Sequence, residues 1–279
     1  MVTTLQHSRS VRRLATRTVV GVVGAGAAVA LAVPAQSAAL PDLSSLPNSS
    51  AELNLPDLIN RLPDLIAPKA PPAANGKSSC TAVIQIGDST SVNADSASLP
   101  GADATAGAQY RRVGAATTTV DALAGRAIVG GPGTDAADAV AARTAAGERG
   151  CWVIAMGVND AGAIATGGES ADQRIDRIMS KLTGQPVLWP TIASSNPKDQ
   201  AFGSTSMTAF NDALKRATTR YPNLAVYDWA AAARPEMFAG DGIHYTAAAT
   251  AERNKRFADA LATAYPAGSG STPTVKLVG

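Results

Sequence analysis

Cysteine and histidine are scarce in this chain: two of each occur in 279 residues. Zinc takes three or four ligands drawn from Cys, His and carboxylates. Cys80, Cys151, His7 and His244 are too few and too scattered for such a set, so neither a metal nor another cofactor is expected. Aromatic residues make up only 4% of the chain, which argues against a broad stacking platform for polysaccharide. There is no basic stripe with interleaved aromatics, so nucleic acid is not an expected partner. A phosphate loop is also missing: Gly130-Gly131-Pro132-Gly133 is not followed by Gly-Lys-Ser/Thr and reads as a flexible connection.

Long apolar runs are absent except near the N-terminus. Arg9, Arg12, Arg13 and Arg17 precede the run Val19 to Val33, no acid intervenes, and small residues follow Pro34 up to Ala38. This is the pattern of a secretory signal peptide over residues 1–38, the run being short for a bilayer span. Arg12-Arg13 leaves twin-arginine export open. Cleavage would remove four of the 24 basic residues and none of the 22 acidic ones, leaving 20 against 22 and a net charge of −2. The mature chain then has no membrane span and is expected to be secreted or associated with the cell envelope. In an oxidising compartment two cysteines tend to pair.

Residues 39–79 are rich in Pro, Ser and Asn and repeat Leu-Pro-Asp-Leu at 40–43, 55–58 and 62–65. Each Pro restricts itself and its predecessor, which disfavours long helices. A disordered linker is the favoured reading and an envelope-docking arm the alternative. Residues 267–279 read as a flexible tail.

Between Cys80 and Pro266 short apolar runs alternate with helical patterns, the mark of an α/β fold with a parallel sheet between helices. Five strands are expected: 82–86, 110–113, 152–156, 186–189 and 224–227. Ser170 with Gln173 forms a capping box ahead of Ile175, Ile178, Met179 and Leu182. Met207, Phe210, Leu214 and Tyr221 make a second helical stripe, and Thr246 to Ala264 a last helix.

The first strand runs into Gly87-Asp88-Ser89, at the carboxyl end where open α/β sheets bind ligands. A second strand ends in Gly157-Val158-Asn159-Asp160. Ser89 lies nine residues after Cys80 and Asn159 eight after Cys151, so with the strands side by side the polar groups share one edge and the cysteines meet at the other. Neighbouring strands lie within disulfide reach, which predicts a Cys80–Cys151 bridge. The third element is Asp241-Gly242-Ile243-His244. His244 is the only histidine outside the leader, so it alone can serve as an imidazole base for Ser89. Asp241, three residues earlier, can turn back to the other ring nitrogen. Asp88 and Asp160 read as loop ties. Trp189 and Trp229 fall near strand ends, where packing is favoured over lining a pocket.

Together Gly87-Asp88-Ser89, Gly157-x-Asn159-Asp160 and Asp241-x-x-His244 resemble the first, third and fifth sequence blocks of the SGNH (GDSL-type) hydrolases, over about residues 80–266. The resemblance implies a flavodoxin-like three-layer sandwich and a Ser89–His244–Asp241 mechanism. It further implies an oxyanion hole formed by the Ser89 amide, the Asn159 side chain and a glycine amide of the second block. Gly114 is the choice for that glycine, with Ala116 in an alternative alignment. The implied substrate is a carboxylic ester with a short acyl group, on envelope sugars or lipids. An acyltransferase using the same site and a catalytically silent envelope-binding protein are the competing readings.

Overall fold

The computed structural model describes residues 76–279. The leader and nearly all of the Leu-Pro-Asp-Leu arm lie outside the described residues. Six parallel strands form one sheet in the order β2-β1-β3-β4-β5-β6: β1 Ala82–Gly87, β2 Thr117–Ala122, β3 Cys151–Ala155, β4 Val187–Pro190, β5 Leu224–Tyr227 and β6 Leu277–Val278.

Side chains alternate across each strand, and this alternation builds two cores. Ile84, Ile86, Trp152, Ile154, Val187, Trp189, Leu224 and Val226 point to one face. There they meet α2 (Ala136–Ala145), α3 (Val158–Ala165), α4 (Ala171–Met179) and α5 (Ser204–Arg220). Val83, Val153, Leu188, Ala225 and Tyr227 point to the other face. They pack on α1 (Ala106–Arg112), the short α6 (Trp229–Ala232) and α7 (Ala247–Ala264). The architecture is the three-layer α/β sandwich expected. α4 starts at the expected capping box, the Ser170 hydroxyl accepting from the Gln173 amide.

Two expectations are corrected. Residues 110–113 are not a strand: Tyr110 lies in α1, which is capped by the Thr105 side chain. Ala106, Tyr110 and Val113 are fully buried at spacings of four and three, a helical period. The strand beside β1 is instead Thr117–Ala122, a weakly apolar edge strand that is only partly buried along its length. The sheet also has six strands rather than five, because the segment read as a flexible tail carries β6. Val226 N–H donates to Lys276 O and Asp228 N–H to Val278 O, both at 2.8 Å, and Val278 is buried.

β1 pairs with β2 on one side and β3 on the other, so the chain reverses its direction of winding between β1 and β3. In open α/β sheets the crevice beyond such a point is where ligands bind. At the opposite end of these strands Cys80 and Cys151 form the expected disulfide, with Cα atoms 5.6 Å apart. Among the described residues no helix is long and apolar enough to cross a membrane.

Candidate active site

Ser89 opens a single 3-10 turn, Ser89–Ser91, directly after β1. Asp88 caps that turn, its Oδ1 accepting from the Thr90 amide at 2.9 Å and the Thr90 hydroxyl at 2.7 Å. The turn folds back so closely that a Cβ on Gly87 would lie 2.5 Å from Ser91 Cβ, so only glycine fits there. Asp88 is fully buried; burial drives its carboxyl above the usual range, against the pull of the Thr90 hydrogen bonds and the charge of Arg253. It is the loop tie expected of it.

His244 reaches this turn from the segment between the Pro235–Met237 turn and α7. That segment closes on itself through Ala239 N–H to His244 O at 2.7 Å and Thr246 N–H to Met237 O at 3.0 Å. Its apex is fixed to the loop after β4: Ser195 N–H donates to Gly242 O at 2.7 Å. Nε2 of His244 stands 2.9 Å from Ser89 Oγ, and Nδ1 stands 2.6 Å from Asp241 Oδ2. Asp241 Oδ1 accepts from the amides of Ile243 and His244 at 2.9 and 3.0 Å. Slight burial works upward on Asp241, but the ring and amide donors outweigh it and hold the carboxyl down to about 2. A carboxylate can only accept, so Nδ1 carries the proton and Nε2 is left to accept from the Ser89 hydroxyl. That is the tautomer a general base requires.

Asn159 enters from the first turn of α3. One of its amide hydrogens is spent on Arg126 O at 2.8 Å, which aims the other N–H away from that anchor. Asp160 turns inward and is fully buried, taking Arg174 at 2.7 Å and the Ile128 amide at 2.9 Å. Burial pushes its carboxyl up to about 6, with Arg174 and Ile128 opposing. It ties α3 to α4 and to the loop after β2, the structural part expected.

Gly114 and Ala116 are not brought to the site. Gly114 N–H bonds to Arg111 O and Ala116 N–H to Thr81 O, both at the amino-terminal end of the sheet where the cysteines lie. Their assignment followed from taking 110–113 as the second strand. The glycine following the true β2 is Gly125, in a turn tied to the site from both sides. Leu123 N–H donates to Gly87 O at 3.2 Å, and Arg126 O holds Asn159. The amides of Ser89 and Gly125 have no hydrogen-bond acceptor among the described residues. A glycine three residues past a Thr-Thr-Thr-Val-Asp-Ala run was the available signal, masked because that run is short of apolar residues.

Arg126 and Arg253 were also missed. Arg126 is buried and bonds to Gly87 O, Asp121 and Thr134 O, bracing the loop that carries Gly125. Trp189 and Trp229 are 0% and 1% exposed, and their indole N–H groups go to Met156 O and Tyr245 Oη, so both are packing residues. No cluster of three or more His, Cys, Asp or Glu side chains suited to a metal occurs among the described residues.

With hydroxyl, imidazole and carboxylate in line, beside unpaired amide donors, the imidazole can take the proton of the Ser89 hydroxyl and make it a nucleophile. No family model and no curated protein matches the chain. Among solved structures it is similar to TesA, at 17% identity over 63% of this chain and 94% of that one, TM-score 0.45. It is similar also to an inhibitor-bound M. smegmatis aryl esterase, at 15% identity over 65% and 96%, TM-score 0.44. A third is a variant of Axe2, an acetyl xylan esterase from Geobacillus stearothermophilus, at 14% over 66% and 96%, TM-score 0.47.

Proposed function

We propose that the protein is an exported serine esterase of the SGNH kind that removes short acyl groups from carboxylic esters. The observation that carries this reading is the line Asp241–His244–Ser89, at 2.6 and 2.9 Å, standing at the reversal point of the sheet. Ser89 Oγ attacks the ester carbonyl carbon as its proton passes to His244 Nε2. The carbonyl oxygen becomes an oxyanion received by the Ser89 amide, the Gly125 amide and the free Asn159 N–H. As the C–O bond to the alcohol breaks, Nε2 returns the proton to the leaving oxygen. Water then attacks the acyl-serine carbonyl and gives a proton to Nε2, which passes it to Ser89 Oγ as the acyl–Oγ bond breaks, freeing the acid and restoring Ser89.

The side chains of His244 and Asp241 are 44% and 47% exposed, so the reacting groups sit at the surface rather than in a tunnel. An open site of this kind suits a small acyl group on a bulky alcohol such as an envelope sugar. The leader of residues 1–38 and the Cys80–Cys151 disulfide support export, since such bridges persist in oxidising compartments.

The test is labelling of the purified mature chain by a fluorophosphonate, with p-nitrophenyl acetate turnover followed alongside Ser89→Ala. Labelling and turnover that vanish together in the folded variant support the reading. A folded wild type that shows neither overturns it.

A further inference from the structure

Arg253 is a buried cation that the steps above leave unused. It sits on the apolar stripe of α7, one turn from Ala249 and one from Phe257, and is 4% exposed. An unpaired buried charge is costly, so a guanidinium at a core position needs a reason. Among the described residues no carboxylate bonds to it. Its hydrogen bonds go to the nucleophile turn: Nη1 donates to Thr90 O at 3.3 Å and Ser91 Oγ at 3.2 Å, and Nη2 to Thr90 Oγ1 at 3.4 Å. Thr90 Oγ1 in turn donates to Asp88 at 2.7 Å. The same guanidinium lies 4.4 Å from the Phe257 ring centre and 5.3 Å from that of Tyr245, within cation–π range.

These contacts converge on the residues flanking the two reacting groups. Thr90 follows Ser89, and Tyr245 follows His244. The nucleophile turn and the base segment come from opposite ends of the domain sequence, and the hydrogen bond between Nε2 and Oγ is too weak by itself to set their separation. The space behind the turn, bounded by Thr90, Val158, Thr191, Trp229, Tyr245 and Arg253, is only about 10 Å³. That is room for one water and not for an acyl group, so Arg253 does not act by binding substrate there.

We propose that Arg253 is a positioning residue: by clamping Thr90 and Ser91 on one side and stacking on Tyr245 on the other, it sets the Ser89–His244 geometry. The proposal rests on the esterase reading. A displacement of about 1 Å at a reacting group can cost 100-fold. Arg253→Met keeps length and apolar bulk but removes every donor. Its turnover per active site, counted by fluorophosphonate titration, is expected to fall by roughly 10- to 100-fold with KM within about threefold, because substrate contacts are untouched.

Normalising to titrated sites separates positioning from stability, since a merely structural arginine would lower the number of active sites and leave turnover per site unchanged. Turnover per site within twofold of wild type in folded Arg253→Met overturns the proposal. Should that variant not fold, Arg253→Lys decides in its place. It keeps the charge but has one nitrogen where the guanidinium uses two, Nη1 on Thr90 O and Ser91 Oγ and Nη2 on Thr90 Oγ1, and it lacks the planar face that stacks on Tyr245, so turnover per site should fall several-fold at constant KM, and an unchanged value overturns the proposal. A wild type that the fluorophosphonate does not label removes the esterase reading and the positioning role with it. A labelled wild type beside an undiminished variant removes the positioning role alone.

Discussion

At Asp241 the two carboxylate oxygens have separate tasks. Oδ1 closes the turn on two amides while Oδ2 fixes the imidazole, so the loop geometry and the base are set by one side chain. Because these donors hold Asp241 down to about 2, it remains ionised wherever the fold is intact near neutral pH. The sign follows directly. A lowered folded-state pKa contributes stability above the ordinary carboxylate range, and that contribution is lost as pH falls through about 2. The Asp241 carboxyl should therefore take up no proton between pH 7 and about pH 4, which carboxyl NMR of the folded protein checks. A protonation shift of that carboxyl within this range would show that the ring and amide donors do not hold it down. In the proposed mechanism Asn159 has a different role: its amide, anchored on Arg126 O, leaves one N–H for developing charge. Asn159→Ala should lower kcat about 100- to 1,000-fold with the thermal midpoint little changed. Undiminished turnover in the folded variant would remove Asn159 from the oxyanion site.

At the scale of elements, the site is held by loop-to-loop contacts that leave little room. Gly242 has φ +73°, and a Cβ there would stand 2.1 Å from Ser195 O. Gly242→Ala should push the His244 segment off the loop after β4, and the expected result is a loss of at least tenfold in kcat/KM that exceeds any loss of folded protein measured by circular dichroism. Wild-type kcat/KM in that variant would show that the contact does not position His244. Asp160 serves the other side of the site. Asp160→Asn leaves Arg174, itself 4% exposed, without its counter-charge. Breaking a buried pair in this way costs about 3 to 5 kcal/mol. Urea unfolding should show that loss; a change under 1 kcal/mol would mean the pair is dispensable to the fold. Both elements were visible in the sequence as Gly-containing motifs, one ending an apolar strand and the other between β5 and the last helix. What each motif leans against was not, because Ser195 and Arg174 are distant in the chain and carry no pattern of their own.

For the molecule as a whole, the disulfide and the reacting groups occupy opposite ends of the same two strands. The bridge closes a separation of 71 residues, for which the chain-entropy model gives about 4 kcal/mol. The double variant Cys80→Ala/Cys151→Ala should melt roughly 8 to 16 °C lower. At 20 °C it should keep wild-type kcat, since nothing at the Ser89 end depends on the sulfurs. An unchanged melting point would show that the bridge adds nothing to the native state, and a fall in kcat at 20 °C would show that the two ends are coupled.

The line Asp241–His244–Ser89 was legible in the sequence because its members lie beside local signals: an apolar strand ahead of Ser89, and a lone imidazole with a carboxylate three residues before it. The α/β class followed from short apolar runs alternating with helical patterns, and the placing of β1 beside β3 from the matched spacings to the cysteines. The second and sixth strands were hidden, because Thr117–Ala122 is an edge strand with few apolar residues and Leu277–Val278 is only two residues long, and both gain their order from a neighbour's backbone groups. For the same reason the choice between Gly114 and Gly125 depended on strand register. The place of Arg253 was decided only by tertiary structure, since a cation on an apolar helical stripe is explained by what lies across from it, and residues 90 and 253 become neighbours only when α7 packs on the sheet beside the turn that follows β1. Local chemistry is written in local sequence, whereas backbone pairing at an edge and charge burial in a core are properties of contacts between distant segments.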